Sequence, residues 1–207
     1  LQGLGTLFAQ KRPITDTTYK TWQEPKYGKI SDDGNFIGYT ITNLPVGKST
    51  FVVKGTNVNW EKHLINLDHI KFSSDSRFLF GIQNGSTLIR LKMGSNELTD
   101  IANSSGYTMI TVGGKDWLIY KKADANLVLT IENVGTGKKQ LIHDVKEHIS
   151  LDESTKILIR KKAEAQNLES LYILDLVSGN LRLVMKDSEL SSNFIIDPCR
   201  RRLAFTV

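Results

Sequence analysis

A repeat of about forty residues constrains this chain more than any other feature of its sequence. The clearest copies are residues 30–39 (ISDDGNFIGY) and residues 70–80 (IKFSSDSRFLF), each a polar turn followed by an apolar strand. Looser copies occupy residues 112–120, 149–159 and 195–205. The copies are spaced 42, 39, 38 and 45 residues apart, measured between the anchor residues Asp33, Asp75, Gly114, Asp152 and Asp197. A repeat of this length, built of short strands, is typical of the blades of a β-propeller.

The positions of turn-forming residues divide the repeats into strands. Gly, Asn, Asp or Pro stands at each predicted strand boundary, where these residues favour turn geometry. We therefore predict an all-β fold, a partial β-propeller of about four to five blades, each a four-stranded antiparallel sheet. The predicted blades are residues 27–68, 69–103, 107–144, 146–187 and 193–207, the last one truncated. Because each blade packs against its neighbours, we expect the natural protein to continue beyond Val207.

The first 26 residues precede the repeats. Residues 1–10 (LQGLGTLFAQ) are mostly apolar, with the small residue Ala9 near their end, and a polar segment begins at Lys11. This pattern predicts the residual tail of a secretory signal peptide, and hence an exported protein, periplasmic or extracellular. The alternative is a disordered leader, since no positively charged segment precedes the apolar one. Residues 11–26 are predicted to form an extended lead with a short helical turn.

The formal net charge of +5 does not indicate a nucleic-acid partner. Basic residues are scattered along the chain, and the few clusters lack the interleaved aromatic side chains of a base-stacking surface. No run of eighteen apolar residues occurs, so no membrane span is predicted. Cys199 is the only cysteine, which excludes an internal disulfide and a cysteine-based metal site.

The sequence assigns no catalytic, cofactor-binding or metal-binding residue. Residues 47–49 (GKS) lack the glycine that a phosphate-binding loop requires five positions earlier, where Thr42 stands. No Gly-x-Ser-x-Gly nucleophile motif occurs. The aspartates at the repeated turn are predicted to accept backbone hydrogen bonds rather than to bind calcium or catalyse. The histidines are predicted to be structural, because their spacing does not match a helical metal site: His63, His69, His143 and His148.

Two sets of motifs suggest a family. The repeated unit, together with residues 171–179 (LYILDLVSG), resembles the WD-repeat-like blades of exported bacterial propellers. The opening of the chain is similar to the start of the N-terminal propeller of prolyl oligopeptidase-family serine peptidases. Its matching segments are residues 11–14 (KRPI), 19–22 (YKTW) and 30–34 (ISDDG). The resemblance extends over essentially the whole chain.

This resemblance implies a non-catalytic propeller. In the family, a C-terminal α/β-hydrolase domain carries the Ser-Asp-His triad, and the propeller admits only short peptides to it. No triad residue has a counterpart in this chain. The adjacent Glu-Glu pair that the dipeptidyl-peptidase branch uses to hold a substrate's amino terminus is also missing from the sequence.

The implied partners are therefore the hydrolase domain of the parent chain and peptide substrates, with no cofactor. Two alternatives stay open at this point. One is a stand-alone exported propeller that binds a protein or a glycan, and the other is a propeller enzyme that acts at its own central channel.

Overall fold

The computed structural model describes residues 15–123, 127–150, 155–162, 168–188, 194–197 and 203–205. These residues form one short helix, α1 (Asp16–Lys20), followed by strands. The strands of the first two sheets are β1 (Glu24–Ile30), β2 (Phe36–Thr42), β3 (Ser49–Gly55), β4 (Glu61–Ile65), β5 (Leu67–Phe72), β6 (Phe78–Gln83), β7 (Thr87–Lys92) and β8 (Leu98–Asn103). The remaining strands are β9 (Tyr107–Val112), β10 (Lys115–Lys121), β11 (Leu129–Asn133), β12 (Lys139–Ile142), β13 (Val145–Ser150), β14 (Lys156–Lys162), β15 (Glu169–Asp175), β16 (Leu181–Ser188), β17 (Phe194–Ile196) and β18 (Leu203–Phe205).

The strands follow one another in four four-stranded antiparallel sheets. Each sheet keeps the order of the sequence, so that blade one is β1–β4, blade two β5–β8, blade three β9–β12 and blade four β13–β16. Strands β17 and β18 form a two-stranded antiparallel sheet. Short connections join successive strands, because antiparallel neighbours need only a tight turn between them. The all-β prediction is confirmed.

The apolar core lies between the sheets. Blade two contributes to two separate clusters, because neighbouring side chains of a strand point to opposite faces. Leu79 packs towards blade one, and Phe80 packs towards blade three; both are completely buried. A third cluster joins blade three to blade four around Ile119 and Ile159. Strand β6 is therefore apolar almost throughout, as expected of a strand that is covered on both faces.

Gly38 in blade one leaves space in the core for a large neighbouring side chain. Gly38 stands where blade two has Phe80, 42 residues further along the chain. A Cβ atom at Gly38 would lie 2.3 Å from Cζ of Phe51, whose ring is completely buried. In blade two the buried phenyl ring belongs to Phe80, on the second strand of the blade. In blade one it belongs to Phe51, on the third strand, and Gly38 on the second strand leaves room for it.

An ion pair crosses the boundary between blades two and three. Nη1 of Arg90, on β7, lies 2.9 Å from Oε1 of Glu132, on β11, and the glutamate side chain is 1% exposed. Nζ of Lys139 lies 3.4 Å from the second carboxylate oxygen, too far for a good hydrogen bond. Glu132 therefore depends mainly on Arg90 for compensation of its buried charge.

The repeated turns are held by their aspartates, as predicted. The Asp33 carboxylate accepts hydrogen bonds from the Ser31 hydroxyl at 2.6 Å and from the Asn35 amide at 3.0 Å. These bonds lower its pKa to about 2. Asp75, in the equivalent turn of blade two, accepts from the Ser73 hydroxyl at 2.7 Å and from the Arg77 amide at 3.1 Å. Asp152 lies outside the described residues.

The third repeat carries an aspartate with a different role from those of the first two. Asp116, which follows the predicted anchor Gly114 by two residues, is buried and accepts hydrogen bonds from the amide and the hydroxyl of Ser74 at 2.6 and 3.0 Å. The Thr111 hydroxyl donates to its other oxygen at 2.6 Å. This carboxylate therefore links the turn of blade two to blade three rather than closing a turn of its own.

The N-terminal boundaries differ slightly from the prediction. Strand β1 begins at Glu24, three residues before the expected start of blade one at residue 27, and it includes Pro25. Proline is tolerated there because β1 is an edge strand, where the missing N–H leaves no partner unpaired. Helix α1 supplies the predicted helical turn, capped by the Thr15 hydroxyl, which accepts from the Thr18 amide at 3.3 Å.

Other predictions concern residues that the structure does not describe. The expected signal-peptide tail, residues 1–10, lies outside the described residues, as does Cys199. Asp197 is described and directly follows β17. Within the described ranges, no helix has the length and apolar character that a membrane crossing requires.

Candidate functional site

The first strands of the blades meet on one side of the molecule. We call β1, β5, β9 and β13 the wall strands; each is the edge of its own sheet, so one side of its backbone lacks a partner strand. Residues from three of them line a single cleft of about 350 Å³, which we call the first cleft. Its lining includes Tyr27 and Lys29 of β1, His69 and Lys71 of β5, and Tyr107 of β9. Strands β1, β5 and β9 therefore face a common space.

Three of the wall strands have a register shift, which in β13 lies between Val145 and Glu147, and two of them, β1 and β5, combine it with an unusual backbone conformation. The register of β1 against β2 shifts between Lys26 and Lys29, and the register of β5 against β6 shifts between Asp68 and Lys71. Within these bulges Tyr27 and His69 adopt left-handed backbone conformations, with φ of 55° and 52°. Non-glycine residues adopt such conformations at a cost, and bulges redirect side chains near functional sites.

A tyrosine from blade three holds the second bulge. The Tyr107 hydroxyl donates a hydrogen bond to the backbone carbonyl of His69. Burial raises the pKa of Tyr107 far above its ordinary value, so the hydroxyl remains a donor throughout the neutral range. The irregular backbone of β5 is thereby fixed by a neighbouring blade. The shape of the first cleft therefore depends on contacts between blades.

The first cleft carries two lysines without a carboxylate partner. Lys29 and Lys71 are exposed, and no carboxylate of the described residues forms an ion pair with either of them. By contrast, Lys26 on the same strand pairs with Glu24 at 3.0 Å. The cleft contains a single acidic side chain, Asp68. Its formal charge is therefore positive at neutral pH even when His69 is uncharged.

A second cleft of about 360 Å³ lies between blades three and four. Residues 104–108, residues 119–123 and His148 line it. Nζ of Lys121 donates to the carbonyls of Val145 and Lys146, both at 2.8 Å, and this lysine joins the two blades. Burial, and next the charge of Lys121, lower the pKa of His148, which favours its neutral imidazole.

A network of charges supports the strand that carries His148. The guanidinium of Arg160, on β14, donates to one oxygen of Glu169 through Nε at 2.8 Å and Nη2 at 2.5 Å. Its Nη1 donates to Glu147 of β13 at 2.7 Å, and Lys146 of β13 donates to the other Glu169 oxygen. Burial acts to raise the pKa of Glu169, but the bonds from Lys146 and Arg160 outweigh it and lower the pKa. The network fixes β13 within blade four.

Both clefts present side chains and backbone groups that can contact a ligand. They present ammonium groups, tyrosine rings and imidazoles, together with unpaired edges of strand backbone. Among the described residues, no hydroxyl or thiol in either cleft hydrogen-bonds to the imidazole of a histidine, and no group of three or more histidine, cysteine and carboxylate side chains could hold a metal ion.

The residues of the first cleft are not among those predicted from the sequence. His69 and His148 are predicted to be structural, and the structure places one in each cleft. The other two, His63 and His143, are exposed outside both. A signal was present, however, because Tyr27 and Lys29 stand 42 residues before His69 and Lys71, the same spacing as that of the first two repeat anchors.

Comparisons with known proteins agree with this architecture. No family model matches the chain, and no curated protein matches it. Among solved structures it is similar to prolyl oligopeptidase B from Galerina marginata, with 16% identity over 84% of this chain and 30% of that chain and a TM-score of 0.50. Two further similar structures are the β-propeller domain of the Trilobed protease from Pyrococcus furiosus (11% identity, 81% of this chain and 58% of that chain, TM-score 0.48) and the dihydro-heme d1 dehydrogenase NirN (12% identity, 88% and 52%, TM-score 0.49).

The chain is a partial β-propeller. At this level of identity, the likeness to prolyl oligopeptidase B concerns the fold alone, and it agrees with the four successive four-stranded sheets. The predicted fold class is thus confirmed. The chain spans less than two thirds of the length of each of these three proteins.

Proposed function

We propose that this chain is the non-catalytic propeller of a prolyl oligopeptidase-like serine peptidase. In this proposal it gates the access of short peptides to an α/β-hydrolase domain of the same protein. The observation that carries the proposal is the fold likeness to prolyl oligopeptidase B, in which 84% of this chain corresponds to only 30% of a peptidase. In this proposal the propeller is one part of a larger enzyme.

The geometry of the wall strands is consistent with a gating function. The two clefts have volumes of about 350 and 360 Å³, which suit a few residues of extended peptide and exclude a folded domain. The unpaired edges of the wall strands offer backbone donors and acceptors to such a peptide. Export of the protein is part of the same proposal, supported by the apolar start of residues 1–10.

Hydrolysis of a chromogenic peptide tests the peptidase assignment. The product of the complete gene and the 207-residue chain are each incubated with a short proline-containing p-nitroanilide peptide. We expect cleavage by the complete gene product, abolished by a serine-directed inhibitor, and no cleavage by the 207-residue chain. Cleavage by the chain alone, or by neither protein, would contradict the proposal; in the second case a propeller that only binds partners becomes the better explanation.

A further inference from the structure

We propose that the first cleft selects peptides that carry acidic side chains, binding their carboxylates through Lys29 and Lys71. The inference rests on the proposed function, because it names the class of peptide that the wall strands would admit. It concerns charge selection only, and it can therefore fail while the peptidase assignment stands.

Lys29 and Lys71 carry positive charge that no described carboxylate neutralises in an ion pair. Among the described lysines of the wall strands, Lys26 pairs with Glu24 and Lys146 pairs with Glu169. Lys29 and Lys71 line the first cleft, and the described residues provide neither with a carboxylate partner. Two cations that line one concave site attract an anion more strongly than the same cations on a convex surface.

The backbone geometry around the two lysines is duplicated. Lys29 and Lys71 each end a bulge, and each follows its left-handed residue, Tyr27 or His69, by two positions. A bulge bends its strand and re-aims the side chains that follow it. The same device at equivalent positions of two neighbouring blades brings both lysines to one cleft, and Tyr107 fixes the second copy through the carbonyl of His69.

The lining of the first cleft suits a peptide ligand. The cleft is lined by strand edges with unpaired backbone groups, which can hydrogen-bond an extended chain, and by the rings of Tyr27 and Tyr107. Asp68, the one acid in the cleft, reduces its positive charge and so disfavours a densely charged polyanion. These features fit a peptide with acidic side chains better than they fit a nucleic acid.

Fluorescence anisotropy with the full chain tests this inference. The probes are fluorescein-labelled pentapeptides that contain three glutamates, three glutamines or three lysines in an otherwise identical sequence. We expect the glutamate peptide to bind most tightly and to be the one that weakens on raising the salt from about 50 to about 500 mM, because salt screens exposed charges. A single-stranded oligonucleotide of similar length is expected to bind no better than the glutamate peptide.

The decisive variant is the pair Lys29→Gln and Lys71→Gln. An exposed ion pair changes affinity by about 1.4- to 5-fold, so the double variant should bind the glutamate peptide about two- to thirtyfold more weakly and the glutamine peptide as before. The control is the pair Lys48→Gln and Lys115→Gln, which removes the same charge from exposed positions outside both clefts. Far-UV circular dichroism verifies that both double variants are folded.

Three results would overturn the inference. These are equal binding of the glutamate and glutamine peptides, equal losses in the two double variants, and tighter binding of the oligonucleotide. None of them affects the peptidase assignment, which depends on hydrolysis by the complete gene product.

Discussion

Replacing Leu88 with alanine should reveal how much stability comes from packing between blades. The side chain of Leu88 is completely buried in the cluster that joins blades two and three, where Phe80 and Leu118 are also members. Removing a buried leucine side chain costs about 3–5 kcal/mol, from lost transfer free energy and from the cavity left behind. For a domain of this size each kcal/mol lowers the melting temperature by about 2–4 °C, so we expect a fall of about 6–20 °C.

The matched control is Leu141→Ala, which makes the same chemical change on β12. Leu141 is 56% exposed, and the substitution should alter the unfolding free energy by less than about 1 kcal/mol. Urea unfolding followed by circular dichroism gives both free energies, and calorimetry gives both melting temperatures. Equal losses for the two leucines would refute the claim that the core lies between the sheets.

Three further predictions concern single residues. Arg90→Gln should lower the unfolding free energy by about 1–3 kcal/mol, because it leaves the buried Glu132 charge poorly compensated, and adding Glu132→Gln should recover part of that loss in a double-mutant cycle. The pKa of Asp33 is lowered from 3.8 to about 2, so its contribution to stability is present above about pH 4 and is lost as the pH falls through about 2. The unfolding free energy of Asp33→Asn should therefore differ from that of the parent at pH 5, and the difference should disappear near pH 2. Gly38→Ala should destabilise by about 1–3 kcal/mol through overpacking, whereas Gly28→Ala, with no heavy atom within 4 Å of its added Cβ, should not; comparable effects would contradict this account of blade one.

The architecture was predictable because it depends on local patterns that recur. The turns at Asp33 and Asp75 are fixed by hydrogen bonds within a few residues, so a turn motif and its spacing are enough to place them. The apolar strands that follow these turns are likewise visible in the sequence, and the repeat length indicates that each blade contains about four short strands.

The remaining features depend on contacts between distant segments. Asp116 was missed because its role is to accept from Ser74, 42 residues earlier and in another blade. The bulges at Tyr27 and His69 were missed because a register shift is a property of two paired strands, and neither strand shows it alone. A comparison of equivalent repeat positions on the wall strands would have paired these two residues without a structure.

The length dependence of peptide hydrolysis tests the gating proposal most directly. The complete gene product is assayed with one cleavable sequence in three forms: a peptide of about eight residues, a peptide of about sixty residues, and a loop within a folded carrier protein. The proposal predicts rapid cleavage of the first form, slow cleavage of the second and none of the third. Cleavage of all three forms at similar rates would show that the propeller does not restrict access, and would contradict the proposed function.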